Sequence, residues 1–208
     1  MEIELLSMTE KAEELIENAG RTAYKTFDKK KEGSEKKFVR MLVANGHLSV
    51  LEHAYASFRI KGASRAFTHQ LVRHRLCSFT QQSQRYVNEK DFAYVEPESI
   101  RAKENAHSLF SDFMERARNV YVELKEMGIR NEDARFVLPN AVESEIVVTA
   151  NLREWKHIIE LRGNASAQWE IREMAIKILE ILKEQVPSIF GDYHVDWEKK
   201  EVLRNAAP

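Results

Sequence analysis

The stretch from Glu98 to Met127 constrains the fold more than any other part of the chain. Ile100, Leu109, Phe113, Val120, Leu124 and Met127 recur in it at helical spacing, and Gly128 followed by Ile129 has the pattern of a Schellman ending with its hydrophobic contact. The spacing predicts a core helix over 98–127. Two short stretches have a different period: YASFRIK at 55–61 alternates, and EIVVTA at 145–150 has strand character. Strands from these alternating segments, with helices covering them, predict an α+β fold.

The remaining helices are placed by their ends. Thr9 is the expected N-cap of a helix near 10–26, Ser34 that of a helix near 35–45 stopped by Gly46, and Ser64 that of a helix running to about His74. Ser49 with Glu52 and Asn151 with Glu154 have capping-box spacing; the first pair opens a helical turn over 50–55, and the second a helix that Gly163 ends. Asn131 is expected to cap a short turn carrying Arg135 and Phe136, and Ser166 or Asn164 to start a last long helix that stops before Pro187. The polar run FTQQSQR reads as a shaped loop, and 191–208 as a C-terminal tail in which only Trp197 offers an anchor. No linker or repeat divides the chain, so 1–208 is expected to be one domain, and 208 residues with 43% hydrophobic content supply a core of that size.

Charge is near balance overall and uneven along the chain. A net charge of −1 opposes a surface built wholly for nucleic acid, and no apolar run is long enough to span a membrane. The start, MEIELLSMTEKAEE, lacks the basic-then-apolar plan of a secretory signal, and a single cysteine, Cys77, fits a reducing compartment; a cytoplasmic protein is expected. Between Glu52 and Glu89 there is no acid, while Arg59, Lys61, Arg65, Arg73, Arg75 and Arg85 lie there, leaving −7 on the rest of the chain. Within that segment RHRLCSFTQQSQR, 73–85, packs arginines among amides and hydroxyls. Either acids from elsewhere in the fold pair with these arginines, or the cluster binds one or more phosphates, for which the planar guanidinium fork is suited. The dense setting of hydrogen-bonding side chains favours the ligand.

His47, His53, His69 and His74 fall within 28 positions, but their spacing does not match the one-turn pairs of zinc helices, and only Glu52 is near enough in sequence to complete a site; no metal is expected. Cys77, close to His74 and Arg75, is a possible low-pKa thiol, yet no base for it is visible, and a small packed residue is the better reading.

Arg73-His74-Arg75, followed after seven residues by Ser83, Gln84 and Arg85, resembles the signature of the flavin-dependent thymidylate synthases. The blocks around it resemble that family in the same order: NGHLSVLEH at 45–53, FRIKGASRAFTHQLVRHR at 58–75, ARFVLP at 134–139, NLREWKHIIELR at 151–162 and AQWEI at 167–171. The resemblance implies an antiparallel sheet with packed helices and a homotetramer with active sites between subunits. It further implies conversion of deoxyuridylate (dUMP) to thymidylate with FAD, a reduced nicotinamide (NADPH or NADH) and 5,10-methylenetetrahydrofolate.

Carried onto this sequence, the resemblance assigns Arg73, His74 and Arg75 to the flavin, with Arg73 near the nucleotide as well. His47, Ser49, Glu52, Gln81, Asn151, Arg153 and His157 fall at positions that line or support FAD. Gln70, Ser83, Gln84, Arg85 and Arg135 match positions gripping dUMP around its phosphate, and Arg162 the arginine facing the uracil, the expected catalytic residue. Family members often carry glycine where this chain has Gln84 and histidine where it has Ser166, so loop closure over the substrate and a flavin contact at 166 are the two points of departure. The family's chemistry dispenses with cysteine attack on the uracil, and a cationic arginine at the pyrimidine edge would stabilise electron density on its carbonyl oxygens. Ser83 lacks a visible base and is read as a phosphate ligand. Two rivals use the same residues differently: a single-strand nucleic-acid binder stacking bases on Phe79 and Tyr86, and a metal-dependent phosphohydrolase built on the histidines.

Overall fold

The computed structural model describes residues 1–205. The elements run β1 (Glu2–Met8), α1 (Ala12–Tyr24), α2 (Ser34–Ala44), β2 (Tyr55–Ser64), α3 (Arg65–Leu71), β3 (Cys77–Gln81), α4 (Glu98–Arg101) and α5 (Glu104–Glu126). They continue α6 (Asn131–Ala134), β4 (Glu143–Asn151), α7 (Leu152–Arg162), α8 (Trp169–Gln185), α9 (Pro187–Phe190), β5 (Tyr193–Asp196) and β6 (Glu201–Arg204). One sheet has the order β1-β2-β4-β3, and β5 and β6 form an antiparallel hairpin. The α+β reading therefore holds.

Two compact units make up the described chain: one of residues 1–2, 60–71 and 80–146, the other of 3–59, 72–79 and 147 onward. In the first, Phe92, Met114 and Val142 form a buried cluster flanked by Tyr94 and Phe110, and Tyr121 turns its hydroxyl inward to accept the Glu89 N–H at 3.2 Å. Antiparallel pairing of the β2 and β4 ends is visible where Arg65 N–H donates to Val142 O at 3.0 Å. In the second, Trp155 is fully buried, meets Phe58 edge-on at 5.0 Å, and donates its indole N–H to Ala56 O at 3.0 Å. Burying such a ring stabilises by about 2–3 kcal/mol, and the indole hydrogen bond lets it do so without orphaning a donor. Ile158 and Ile159 of α7 and Ile171, Met174, Ile178 and Leu182 of α8 complete that core.

Several element ends differ from expectation for local physical reasons. Thr9 caps no helix: its Oγ1 accepts Tyr55 N–H and its N–H donates to Tyr55 O, both at 2.9 Å, which prolongs strand pairing, and α1 begins after Lys11 in a left-handed conformation (φ 49°). Ser34 is the first residue of α2 behind Gly33, with its hydroxyl donating to the buried Glu17 carboxylate at 2.6 Å. The Ser49–Glu52 pair makes no capping box, and Leu48–His53 is a 3₁₀ helix. Ser64 does cap α3, accepting Phe67 N–H at 3.0 Å, but the helix stops at Leu71, so Arg73 and His74 stand on the turn beyond it. Of the expected FTQQSQR loop, residues 79–81 belong to strand β3 and 82–85 are irregular as expected; β3 lies at the sheet edge, with a hydrogen-bonded strand on one side only. The N-terminal residues, for which no strand was expected, form β1 at the opposite edge.

The expected 98–127 helix is two, α4 and α5, and its core face is a different one: Met114, Ala117 and Tyr121 are buried, while Leu109, Phe113 and Met127 are more than half exposed. Its ending is as expected, with Ile129 N–H donating to Leu124 O and Gly128 N–H to Lys125 O, both at 3.0 Å, and Gly128 at φ 83°. Asn131 is not a cap but opens α6 behind Arg130, and Gln168 rather than Ser166 or Asn164 caps α8, its Oε1 accepting the Glu170 and Ile171 N–H groups. The tail is the β5–β6 hairpin, and Trp197 is exposed rather than an anchor.

Candidate functional site

The second unit carries the larger constellation, and α7 positions most of it. Asn151 caps this helix by accepting Glu154 N–H at 2.8 Å, as the capping-box spacing predicted. The Glu154 carboxylate does not reach back to close the box; Oε1 lies 3.4 Å from Nδ1 of His74. Two turns further along α7, Arg162 Nε donates to His74 Nε2 at 3.0 Å. An imidazole that accepts at Nε2 carries its proton at Nδ1, so His74 is neutral, with that N–H facing Glu154. Electrostatics agree: burial first, then the Arg162 guanidinium and His157, push the His74 pKa down to about 4. The His157 ring stands edge-on to His74 at 5.9 Å.

Glu154 is itself raised by burial, partly countered by His157, and Cys77 is pushed up to about 12 by burial and by Glu154. That thiol is the opposite of an activated nucleophile. His74, Glu154 and His157 bring ligand atoms within 4.8 Å of one another, a grouping that sequence spacing did not reveal. A cation there would compete with the Arg162 guanidinium and take the nitrogen that Arg162 occupies, so the geometry favours the arginine over a metal.

Arg73 and Arg75 flank His74 and are exposed, and among the described residues neither makes an ion pair. Two of the other segment cations are paired, Arg59 with Glu4 at 3.5 Å and Arg85 with Glu132 at 3.2 Å, while Lys61 and Arg65, among the described residues, make no ion pair. Acids from elsewhere in the fold thus account for part of the excess charge and leave Arg73 and Arg75 around His74, with Lys61 and Arg65, without an ion pair among the described residues. Arg153 forms an ion pair with Glu52, and Arg153, His47 and Ser49 line a cavity of about 420 Å³ together with Tyr24. Tyr24 is 60% exposed and was not singled out from sequence; an exposed aromatic beside a polar cavity is the only signal it gives.

The first unit holds the other set. Ser83 Oγ accepts Arg85 N–H at 3.3 Å, Arg85 Nε donates to the Glu132 carboxylate, and Arg135 Nε donates to Glu132 O at 3.1 Å, so Arg85 and Arg135 meet at Glu132 and Ser83 adjoins Arg85. Arg65 joins them: burial and the facing Arg135 pull its pKa below the arginine norm, with Glu89 only partly offsetting them. Two guanidinium groups held against each other favour an anion between them. Arg85 also borders an open cavity of about 290 Å³ with Lys125, in the last turn of α5, and Arg130, just beyond it, two cations that lie outside the signature. Gln70 Nε2 reaches Ala66 O at 3.4 Å, and Gln84 is buried. Gln81 belongs to this unit and is tied to Thr68 Oγ1 at 3.1 Å and Ser144 Oγ at 3.0 Å rather than to the residues around His74. Ser166 donates to Asn164 Oδ1 at 2.8 Å.

Residues 4–188 match the family described as thymidylate synthase complementing protein. Over 202 residues the chain is 43% identical to a flavin-dependent thymidylate synthase of Corynebacterium efficiens, with 89% of this chain and 81% of that protein covered. A flavin-dependent thymidylate synthase of Geobacter sulfurreducens is 42% identical over 200 residues, covering 92% and 86%. Among solved structures, thymidylate synthase X of Helicobacter pylori, crystallised with FAD and dUMP, superposes with a TM-score of 0.79 at 25% identity, covering 92% of this chain and 98% of that one.

Proposed function

The chain belongs to the flavin-dependent thymidylate synthase family, FAD-dependent enzymes that form thymidylate from dUMP, and we propose how its own residues divide that work. The unit with Arg73, His74, Arg75, Ser49, Glu52, Asn151, Arg153 and His157 holds FAD, and Arg162 reaches the uracil from the same unit. Ser83, Arg85 and Arg135, with Gln70 and Gln84, hold the dUMP phosphate. Gln81, whose Nε2 donates to Thr68 and Ser144, is assigned to the flavin set through its Oε1. The residues fit a flavin dinucleotide: exposed, uncompensated arginines suit its pyrophosphate, and a neutral imidazole with an arginine suits its polar ring edge.

When bound, the flavin supplies the hydride that completes the methyl group. The protein's part is to bind, orient and polarise. A guanidinium held by His74 offers its terminal N–H groups in a fixed direction, so that electron density developing on the uracil carbonyls meets a preorganised charge. A reduced nicotinamide, NADPH or NADH, is the reductant, and 5,10-methylenetetrahydrofolate the one-carbon donor. The working assembly is a cytoplasmic homotetramer whose sites combine clusters from different subunits, in which the whole chain acts as one functional domain. Supporting the assembly are Leu109 and Phe113, one helical turn apart on α5 and 73% and 56% exposed, a stripe that another copy would bury. Among the described residues no helix is long and apolar enough to cross a membrane.

The observation that carries the reading is the pair Arg73 and Arg75, unpaired on either side of buried His74 in an acid-free segment. Its test is the absorption spectrum before and after adding FAD: uptake of a flavin band that R73A/R75A loses supports it, and no uptake by the parent protein rejects it.

A further inference from the structure

Arg162 sits in the last turn of α7, where carbonyls lack helical partners and helices fray. A guanidinium on a fraying turn is poorly placed to orient a substrate, because binding and catalytic groups need positioning to about half an ångström. The turn is held by something outside the family match, which ends at residue 188. Tyr193 of the hairpin, 2% exposed, donates its hydroxyl to Glu160 Oε1 at 2.6 Å, two residues before Arg162. Lys156, 3% exposed, places Nζ 2.5 Å from the same oxygen and over the Tyr193 ring at 5.3 Å. Arg204 extends the cluster, with Nη1 3.9 Å from Glu160 and Nε 2.6 Å from Asp192.

One residue past Arg162, Gly163 O accepts Val202 N–H at 2.8 Å. The approach is close enough that a Cβ on Gly163 would stand 2.6 Å from Val202 Cγ2 and from Ile159 O. The hairpin therefore grips α7 on both sides of Arg162, once by side chains at 160 and once by backbone at 163.

We propose that the C-terminal hairpin is a positioning device for Arg162, with Tyr193 and Glu160 as positioning residues that touch no substrate. With residues 160 and 163 both tied to the hairpin, the Arg162 backbone between them resists unwinding, and its side chain extends to His74. Burial pushes the Glu160 carboxyl up, and the Lys156 and Tyr193 hydrogen bonds outweigh it and bring it below the usual range, so the acceptor stays ionised at neutral pH. The proposal rests on the reading of Arg162 as the uracil-facing residue.

The test is a double-mutant cycle with Tyr193→Phe and Arg162→Ala, measured on FAD-loaded protein by flavin absorbance and dUMP titration. Y193F keeps the ring and its packing and removes only the hydroxyl. It is expected to retain flavin and to weaken dUMP binding about 10-fold, the scale of one hydrogen bond to a charged group. In the R162A background the same change should have no further effect, because the hairpin then has nothing to position. Effects that multiply, or unchanged dUMP affinity in Y193F, would overturn the proposal. If R162A alone left dUMP affinity intact, the reading of Arg162 would fail first, and this inference with it. Should Y193F lose its fold, Val202→Ala, which thins the contact on Gly163, enters the same cycle with the same outcomes.

Discussion

Arg162 donates through Nε to Nε2 of His74 at 3.0 Å, across 88 positions of sequence, and so ties the end of α7 to the centre of the Arg73-His74-Arg75 turn. The contact uses only one of the guanidinium's five N–H groups, leaving its terminal amines for a ligand.

Replacing Arg162 by alanine is therefore expected to leave FAD content unchanged, to remove roughly 2–5 kcal/mol of dUMP binding and to abolish the transition-state stabilisation that depends on it. Lysine should recover only part of it, since an ammonium cannot both donate to His74 and present a planar pair of donors. A helix-end arginine with no further role would cost less than about 1 kcal/mol of stability on replacement and leave dUMP titrations unchanged.

The buried imidazole makes a pH prediction. His74 ordinarily titrates near 6.5, and in the fold it does so near 4. Between those values the unfolded chain binds a proton that the folded chain refuses, so stability falls as pH falls from about 6.5 to about 4 and this loss levels off below. The contribution is at most roughly 3 kcal/mol. Denaturant titrations of the parent and His74→Gln at pH 7 and pH 5 check it: the parent should lose more stability than the variant over that interval, and equal losses would assign the acid sensitivity to other groups.

Cys77 and Ser83 should part company from a nucleophile. With its thiol pushed up to about 12, Cys77 has no thiolate at neutral pH, and Cys77→Ala should keep thymidylate formation. Ser83, whose hydroxyl accepts Arg85 N–H, should on replacement by alanine weaken dUMP binding by about 1–2 kcal/mol with little change in the maximal rate. Mass spectrometry of trapped protein checks both, and a covalent adduct of either side chain with the uracil would contradict the reading.

What the sequence disclosed and concealed follows from how local each signal is. The Asn151 cap and the Gly128 ending involve residues within a turn of each other, and both were legible. The capping-box spacing of Glu154 was equally visible, yet its carboxylate faces His74, 80 positions away, and no local pattern encodes that partner. On α5 two apolar stripes coexist, Leu109 with Phe113 and Met114 with Tyr121, and periodicity alone does not say which one faces the core of the subunit. The edge strand β3 escaped because its polar composition resembles a loop. In the tail, Asp196 Oδ1 accepts the Glu198 and Lys199 N–H groups, a local turn that joins β5 to β6. Family resemblance supplied the grouping of site residues; the structure adds Glu154, Arg65, Lys125 and Arg130 beside them.

The exposed α5 stripe bears on assembly. Leu109→Asp combined with Phe113→Asp places two charges where another copy is proposed to pack, and light scattering on a sizing column should show a smaller assembly than the tetramer proposed for the parent. If sites are assembled from different subunits, as proposed, thymidylate formation should be lost in step. An unchanged mass would remove this face from the interface.

The most direct test of the whole account is tritium release from carbon 5 of labelled dUMP by the purified protein, supplied with NADPH and 5,10-methylenetetrahydrofolate, with and without FAD. The expected result is release that requires FAD, matches thymidylate formed, and is lost in R162A. Release that proceeds equally in flavin-free protein, or none from protein loaded with FAD, would contradict it.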